Sequence, residues 1–262
     1  MGAIAPAAAA AGLTLRQSGS RLTVTLDRPE RRNAQTPATW RALAAIGEAV
    51  AASDVALVVL RAEGPSFSAG LDRAMLGAGV DGEPGLAGMA ALDDDALDAA
   101  IAGFQRAFTW WREVDAVTVA AVGGHAVGAG FQLALACDLR VVADDVRLAM
   151  RETSLGLVPD LGGTSPLVRI VGYPRALEIC ATGRWVGAQE AVRLGLAETA
   201  VPRADLDAAV DDLAAALLGA PAGAVATLKR LLRSAKEANR ADQLAAERAA
   251  QRDRLRALAS PG

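Results

Sequence analysis

The 262-residue sequence predicts an α/β protein that opens with strands and closes with helices, and three observations carry that prediction. The segment RLTVTLD at 21–27 alternates apolar and polar residues at period two, the signature of a half-buried strand. Two later apolar runs, ALVVL at 56–60 and VTVAAV at 117–122, are short and rich in β-branched residues, and each passes into a loop of glycine and other tiny residues. Beyond Gly162 the strand patterns all but vanish and apolar residues recur at helical spacing.

Taken in order, the first strand stops at Arg28-Pro29, a turn signal, and helical spacing follows over 37–52, with Thr36 placed to cap it and Pro37 at its first position. The strand at 56–60 is bounded by Gly64-Pro65. Between residues 72 and 92 lie Gly77, Gly79, Gly82, Gly85 and Gly88, which predict a mobile loop, either a lid or plain surface chain. A long helix is expected over 93–114, because Asp93, Asp94 and Asp95 favour the positive end of a helix dipole. The strand at 117–122 leads through GGHAVGAG into a helical run at 131–137, and short strands follow at 139–142 and 148–150. Helical patterns then occupy 167–171, 175–180, 188–194 and three longer segments.

Composition bounds the function. With 52% hydrophobic and 22% charged residues the chain can build one sizeable core, and aromatics at 3% require that core to be packed from small aliphatic side chains. Twenty-seven basic against thirty acidic residues leave a formal charge of -3, without the basic stretch that nucleic acid or an anionic membrane surface needs. Cys137 and Cys180 sit in apolar runs without CxxC spacing and read as buried, reduced core residues. Residues 1–12 are Ala-rich without a basic n-region and read as a flexible tail rather than a signal peptide. The uncharged stretch at 116–137 is long enough for a membrane span, but four glycines break it into strand, loop and helix. A soluble, cytoplasmic protein is expected.

The junctions LVVLRAEGPSFSAGLD and VTVAAVGGHAVGAG share one design, a buried strand running into a loop of tiny residues before a helix. Small residues let a ligand approach the main chain, and a helix start leaves backbone N–H groups free, so two such loops brought together make an oxyanion hole. The same residues also suit plain strand–helix packing. Other glycine motifs fail on the letters: Leu133 stands where a dinucleotide fingerprint from Gly128 needs glycine, and neither Ser66 nor Ser68 sits in a GxSxG elbow. His125, the single histidine, lies inside the glycine loop and suits a loop or packing role.

The stretch AAVGGHAVGAGFQLALACDLRVVADDVRLAMRETSLGLVPDLGGT resembles the core of the enoyl-CoA hydratase/isomerase family, the crotonase superfamily. Upstream, LDRPERRNA and FSAGLD resemble its first strand-turn and first oxyanion loop, and LVRIVGYPRALEICATGRWVGAQEAVRLGLAETAV resembles the helical region that follows. The resemblance implies a crotonase-like spiral of ββα units over residues 13–200. It also implies a C-terminal helical trimerisation region at 201–262 and assembly as a homotrimer or a dimer of trimers. It further implies an acyl-CoA thioester as ligand and no separate cofactor, because coenzyme A belongs to the substrate. The oxyanion donors carried over by motif position are the backbone amides of Leu71 and Ala129. Ala69, Gly70, Asp72 and Arg31 fall in the matching substrate-binding segments, although solvated charge is an ordinary fate for Arg31.

Hydratases of that family use two glutamates, and the matching positions here are Gln132 and Glu152. An amide does not exchange protons at neutral pH, so addition of water loses one partner, while Gln132 can still orient a water or the substrate. Moving a double bond needs only one base and an oxyanion hole, with Glu152 implied as that base. Asp160 falls where dienoyl-CoA isomerases carry a second acid. Read without the resemblance, Glu152 beside Arg151 suits a surface ion pair and Asp160 after Pro159 a turn. The sequence therefore favours an enoyl- or dienoyl-CoA isomerase, with a hydratase using a modified acid pair and a non-catalytic acyl-CoA carrier as the alternatives.

Overall fold

The computed structural model describes residues 1–80 and 82–259. Helix α1 (Ala5–Ala10) precedes the hairpin of β1 (Leu13–Ser18) and β2 (Arg21–Leu26), and a 3-10 turn at Pro29–Arg31 leads to α2 (Pro37–Ala51) and β3 (Leu57–Ala62). A second 3-10 turn, Arg73–Leu76, precedes the small hairpin of β4 (Gly79–Val80) and β5 (Glu83–Pro84), then α3 (Leu86–Ala90) and α4 (Asp94–Glu113). The centre of the chain is β6 (Val117–Val122), β7 (His125–Val127), α5 (Ala129–Ala136), β8 (Leu139–Ala143) and β9 (Arg147–Ala149), closed by a 3-10 turn at Glu152–Leu155. There follow α6 (Thr164–Val171), α7 (Tyr173–Thr182), β10 (Val186–Gly187), α8 (Ala188–Arg193) and β11 (Thr199–Val201). The helices α9 (Leu206–Gly219), α10 (Ala222–Ser234) and α11 (Arg240–Ala259) end the described chain.

The main sheet has the order β1-β2-β3-β6-β8-β11, parallel throughout except for the β1–β2 hairpin, and a second sheet has the order β10-β9-β7. Strand periodicity sorts the side chains onto two faces. Val58 and Leu60 of β3 join the large core under α2 and α4, whereas Leu57 and Val59 meet Val117, Val119 and Ala121 and the apolar stripe Leu206, Val210 and Ala214 of α9. With both faces covered, the central strands read as continuous apolar runs, as parallel strands do.

Local sequence signals set several boundaries. Thr36 forms a capping box with Thr39 at the start of α2, and Asp93 Oδ1 accepts the Ala96 N–H at 2.8 Å to open α4. Other expectations change. The opening segment is not a frayed tail: α1 is helical and packs Ala8, 1% exposed, against the body. The glycine-rich stretch at 72–92 is not plain loop, since it holds a 3-10 turn, a hairpin and a helix, and Glu83 pairs with Arg41 of α2. Close backbone approach, not mobility, explains Gly85, where a Cβ would collide with Gly77 O. Strand β1 was not legible because its outward positions are polar and its inward ones few, and Cys180 is half-buried rather than buried.

Helix α5 positions the site. Its sequence AGFQLALA is apolar around the whole circumference, and all eight residues are buried. Gln132 is its one polar side chain. At its C-terminal end the Arg112 guanidinium donates to Leu135 O at 2.7 Å and Arg140 to Cys137 O at 2.8 Å, placing cations at the negative end of the helix. Its N-terminus points its first amide into the site.

Candidate active site

Two main-chain loops meet beneath the first turn of α5. Ser68 pairs with Ala126 as an isolated parallel bridge, its N–H donating to His125 O at 2.9 Å and its carbonyl accepting the Val127 N–H at 3.0 Å. Gly70, at φ 86°, lies so close that a Cβ there would stand 2.4 Å from Val127 O and 3.5 Å from Ala129 N. Only glycine meets both demands. The contact brings the Gly70–Leu71 segment against the start of α5. Among the described residues neither the Leu71 nor the Ala129 N–H has an acceptor: Ala129 is the first residue of α5, where no helical partner exists, and Leu71 N–H belongs to the peptide whose carbonyl, Gly70 O, accepts the Gln35 N–H.

Glu152 approaches the start of α5 from the turn after β9. Its Oε1 accepts a hydrogen bond from Gln132 Nε2 at 2.7 Å, and its Oε2 is buried without a partner. A Cβ on Gly128, at φ 52°, would stand 3.4 Å from Glu152 Oε1, so the carboxylate rests against the residue that precedes Ala129. Burial pushes the Glu152 carboxyl above its ordinary range, and repulsion from Asp160 adds to that. Hydrogen bonds from the main chain and from Gln132 act in the opposite direction. Gln132 is oriented without ambiguity, since its Oε1 accepts the N–H groups of Leu161 and Gly163, each at 3.1 Å, and only the amide nitrogen remains to meet Glu152.

Asp160 belongs to the same loop, its carbonyl taking Gln105 Nε2 at 2.7 Å. Although its surface is exposed by area, desolvation by surrounding protein raises its carboxyl as well. Burial thus raises both carboxyls, and Asp160 adds to the rise at Glu152, which makes the pair candidates for proton transfer.

The other residues singled out from the sequence divide. Ala69 is exposed at the lip of the first loop and donates its N–H to Arg32 O at 2.9 Å. Asp72 is engaged by the fold: Oδ1 caps the 3-10 turn through Ala74 N–H at 3.1 Å and Oδ2 lies 3.7 Å from Arg28. Arg31 is exposed at the end of the turn Pro29–Arg31. His125 touches Ser66 Oγ at 3.4 Å and the Trp185 ring edge-on, on the exposed end of β7. Sequence reasoning missed Asn33, Gln35 and Ser68, all buried, which tie the first turn to the first oxyanion loop. Asn33 Oδ1 accepts Arg28 N–H at 2.8 Å and its Nδ2 donates to Glu63 O and Ser66 O, both at 2.9 Å. The available signal was a run of polar residues, NAQT, at the edge of an apolar α/β core.

A mostly parallel main sheet, a second small sheet and a buried central helix beside a desolvated carboxylate place this protein in the α/β class of crotonase-like folds. The chain belongs to the enoyl-CoA hydratase/isomerase family, whose model matches residues 16–257. Carnitinyl-CoA dehydratase of Escherichia coli K12 is 34% identical over 230 residues, covering 86% of this chain and 81% of that protein. A Thermobifida fusca YX protein described as an enoyl-CoA hydratase and solved with CoA is 50% identical, with a TM-score of 0.91 over 97% of each chain. The same protein solved with acetoacetyl-CoA gives 50% identity and a TM-score of 0.91 over 96% of this chain and 97% of that one.

Proposed function

We propose that this protein binds an acyl-CoA thioester, holds the thioester oxygen between the amides of Leu71 and Ala129, and shifts a double bond between the β,γ and α,β positions with Glu152 as base. The carrying observation is the division of labour in the Glu152 carboxylate, with Oε1 held by Gln132 and Oε2 buried and unpartnered, 3.8 Å from where a Cβ on Gly128 would stand. In the reaction Oε2 takes the proton from C2, the electrons flow into the thioester carbonyl, and the two N–H groups stabilise the dienolate oxygen. The proton then returns at C4. Coenzyme A enters as part of the substrate, and no separate cofactor is needed for these steps. The CoA and acetoacetyl-CoA complexes of the Thermobifida fusca relative support the ligand class.

Gln132 favours isomerisation over hydration. Its Oε1 is taken up by the Leu161 and Gly163 N–H groups and its Nε2 donates to Glu152, and an amide neither donates nor removes a proton at neutral pH. A second reading, a hydratase or dehydratase using Glu152 and Asp160, draws on the raised Asp160 carboxyl and on the names of the relatives.

The deciding experiment is deuterium uptake at C2 of a bound acyl-CoA, with turnover of 3-enoyl-CoA and water addition to crotonyl-CoA run beside it. Glu152→Gln should lose about 10²- to 10⁴-fold in exchange, the usual worth of a positioned base, while retaining affinity. Brisk hydration by the natural protein would favour the second reading. Tight binding without any exchange would reduce the protein to a carrier.

A further inference from the structure

We propose that Gln35 and Ser68 are positioning residues that aim the Leu71 amide at the thioester oxygen, an inference that rests on the oxyanion role proposed for Leu71. The peptide between Gly70 and Leu71 is planar and trans, so its carbonyl and its N–H point in opposite directions, and whatever fixes Gly70 O fixes Leu71 N–H. Gly70 O accepts the Gln35 N–H at 2.7 Å, and one residue on, Asp72 N–H donates to Gln35 O at 2.8 Å. Leu71 N–H therefore faces away from Gln35, and a Cβ on the adjoining Gly70 would stand 3.5 Å from Ala129 N.

Gly70 is the weak joint in this arrangement. The close approach to Val127 O forbids a side chain, and a glycine in the left-handed region carries no intrinsic stiffness. The stiffness comes from the buried network around it. Ser68 Oγ donates to Asn33 O at 2.7 Å and accepts from Gly70 N–H and from Gln35 Nε2, each at 3.1 Å. One donor and two acceptors exhaust a hydroxyl. Gln35 is held in turn because its Oε1 accepts Trp40 Nε1 at 2.8 Å, which also settles which end of the amide faces Ser68. Gln35 and Ser68 are each 0% exposed, so no water can substitute for a lost partner from outside. Both peptide groups of Gly70 are thus tied, its N–H through the Ser68 side chain and its carbonyl through the Gln35 main chain.

The test compares the natural protein with Gln35→Met, close in size and without the amide, and with Ser68→Ala, a smaller change that keeps the fold accessible if the first variant does not accumulate. The readouts are the infrared band of a ¹³C-labelled thioester carbonyl in bound butyryl-CoA, the rate of C2 deuterium uptake at saturation, the Kd and the melting temperature. The natural protein should shift the carbonyl band to lower frequency. Each variant should lose most of that shift and about 10- to 10²-fold in exchange rate, with Kd changed less than about threefold, because a displacement of about 1 Å in an aligned group costs on that scale. A folded variant with the full carbonyl shift and full exchange rate overturns the proposal, even if it melts earlier, since the network would then be structural only. A natural protein that binds butyryl-CoA without shifting its carbonyl band removes the oxyanion role of Leu71 itself, and this inference with it.

Discussion

Glu152 carries a cost that its chemistry explains. An unpartnered carboxylate oxygen in a buried setting is unfavourable to folding, and such groups are retained where a ligand or a proton will meet them. Because burial raises its folded carboxyl above the unfolded value, the native state binds its proton more tightly than the unfolded chain does. Stability therefore falls as pH rises from the ordinary carboxylate range through the raised value, and the penalty is complete above it. Glu152→Gln removes the charge while keeping the shape and an oxygen that can accept from Gln132. The variant should be more stable than the natural protein at pH 7.5, by about 0.5–2 kcal/mol as is common for replaced active-site residues, and the gap should close toward pH 4. Denaturant titrations at the two pH values check this. The C2 exchange rate of the natural protein should rise with pH through the same window, since only the ionised form is a base.

At the scale of elements, α5 is a short helix forced into the middle of the protein, and both of its ends are managed. Its first amide has no acceptor among the described residues, while its last carbonyls are taken by Arg112 and Arg140. Just beyond it, Asp138 accepts from Thr118 N–H at 2.9 Å and from Lys229 of α10 at 2.6 Å, and Lys229 also donates to Ala116 O at 2.7 Å. Lys229 is 8% exposed, and burial lowers its pKa while Asp138 opposes that change. This pair joins the C-terminal helices to the β6–α5–β8 unit. Lys229→Met should lower the denaturant midpoint by the equivalent of about 2–4 kcal/mol, the lower part of that range reflecting the partial exposure of Asp138, without changing the slope of the transition. The ligand-saturated exchange rate should be unaffected, because no atom of the pair touches the amide pair or Glu152.

The folded chain leaves apolar side chains exposed on its C-terminal helices. Helix α10 presents Leu228 and Leu232, 54% and 61% exposed, and α11 has no buried residue among those described. Exposed apolar side chains grouped on one helix commonly mark a surface that another protein covers. We expect a homotrimer, alone or paired into a dimer of trimers, formed through the helical region at 201–262. Sedimentation velocity should give a species three or six times the 26.7 kDa chain, and Leu228→Glu with Leu232→Glu should shift it toward monomer. A monomer at micromolar concentration in the unmodified protein would contradict this.

The order of elements was legible because periodicity is a local property: VTVAAV is β6 to the residue, Thr36-Pro37 starts α2, and the acids at 93–95 open α4. Sequence also supplied the candidates that the fold brings near one another, since small residues at 69–70 and 128–130 and the lone glutamine in an apolar helix are visible as letters. What it could not supply was partnership between residues distant along the chain. That Glu152 Oε1 is occupied and Oε2 free, that Gln132 spends its oxygen on Leu161 and Gly163, and that Gln35 and Ser68 brace Gly70 are facts of tertiary contact. The physical reason is that hydrogen bonds and desolvation act over a few ångströms in space, whereas the signals that a sequence carries by itself act over a few residues along the chain. Twenty residues separate Gln132 from Glu152 and thirty-three separate Gln35 from Ser68, and only the folded sheet brings each pair within reach of a proton.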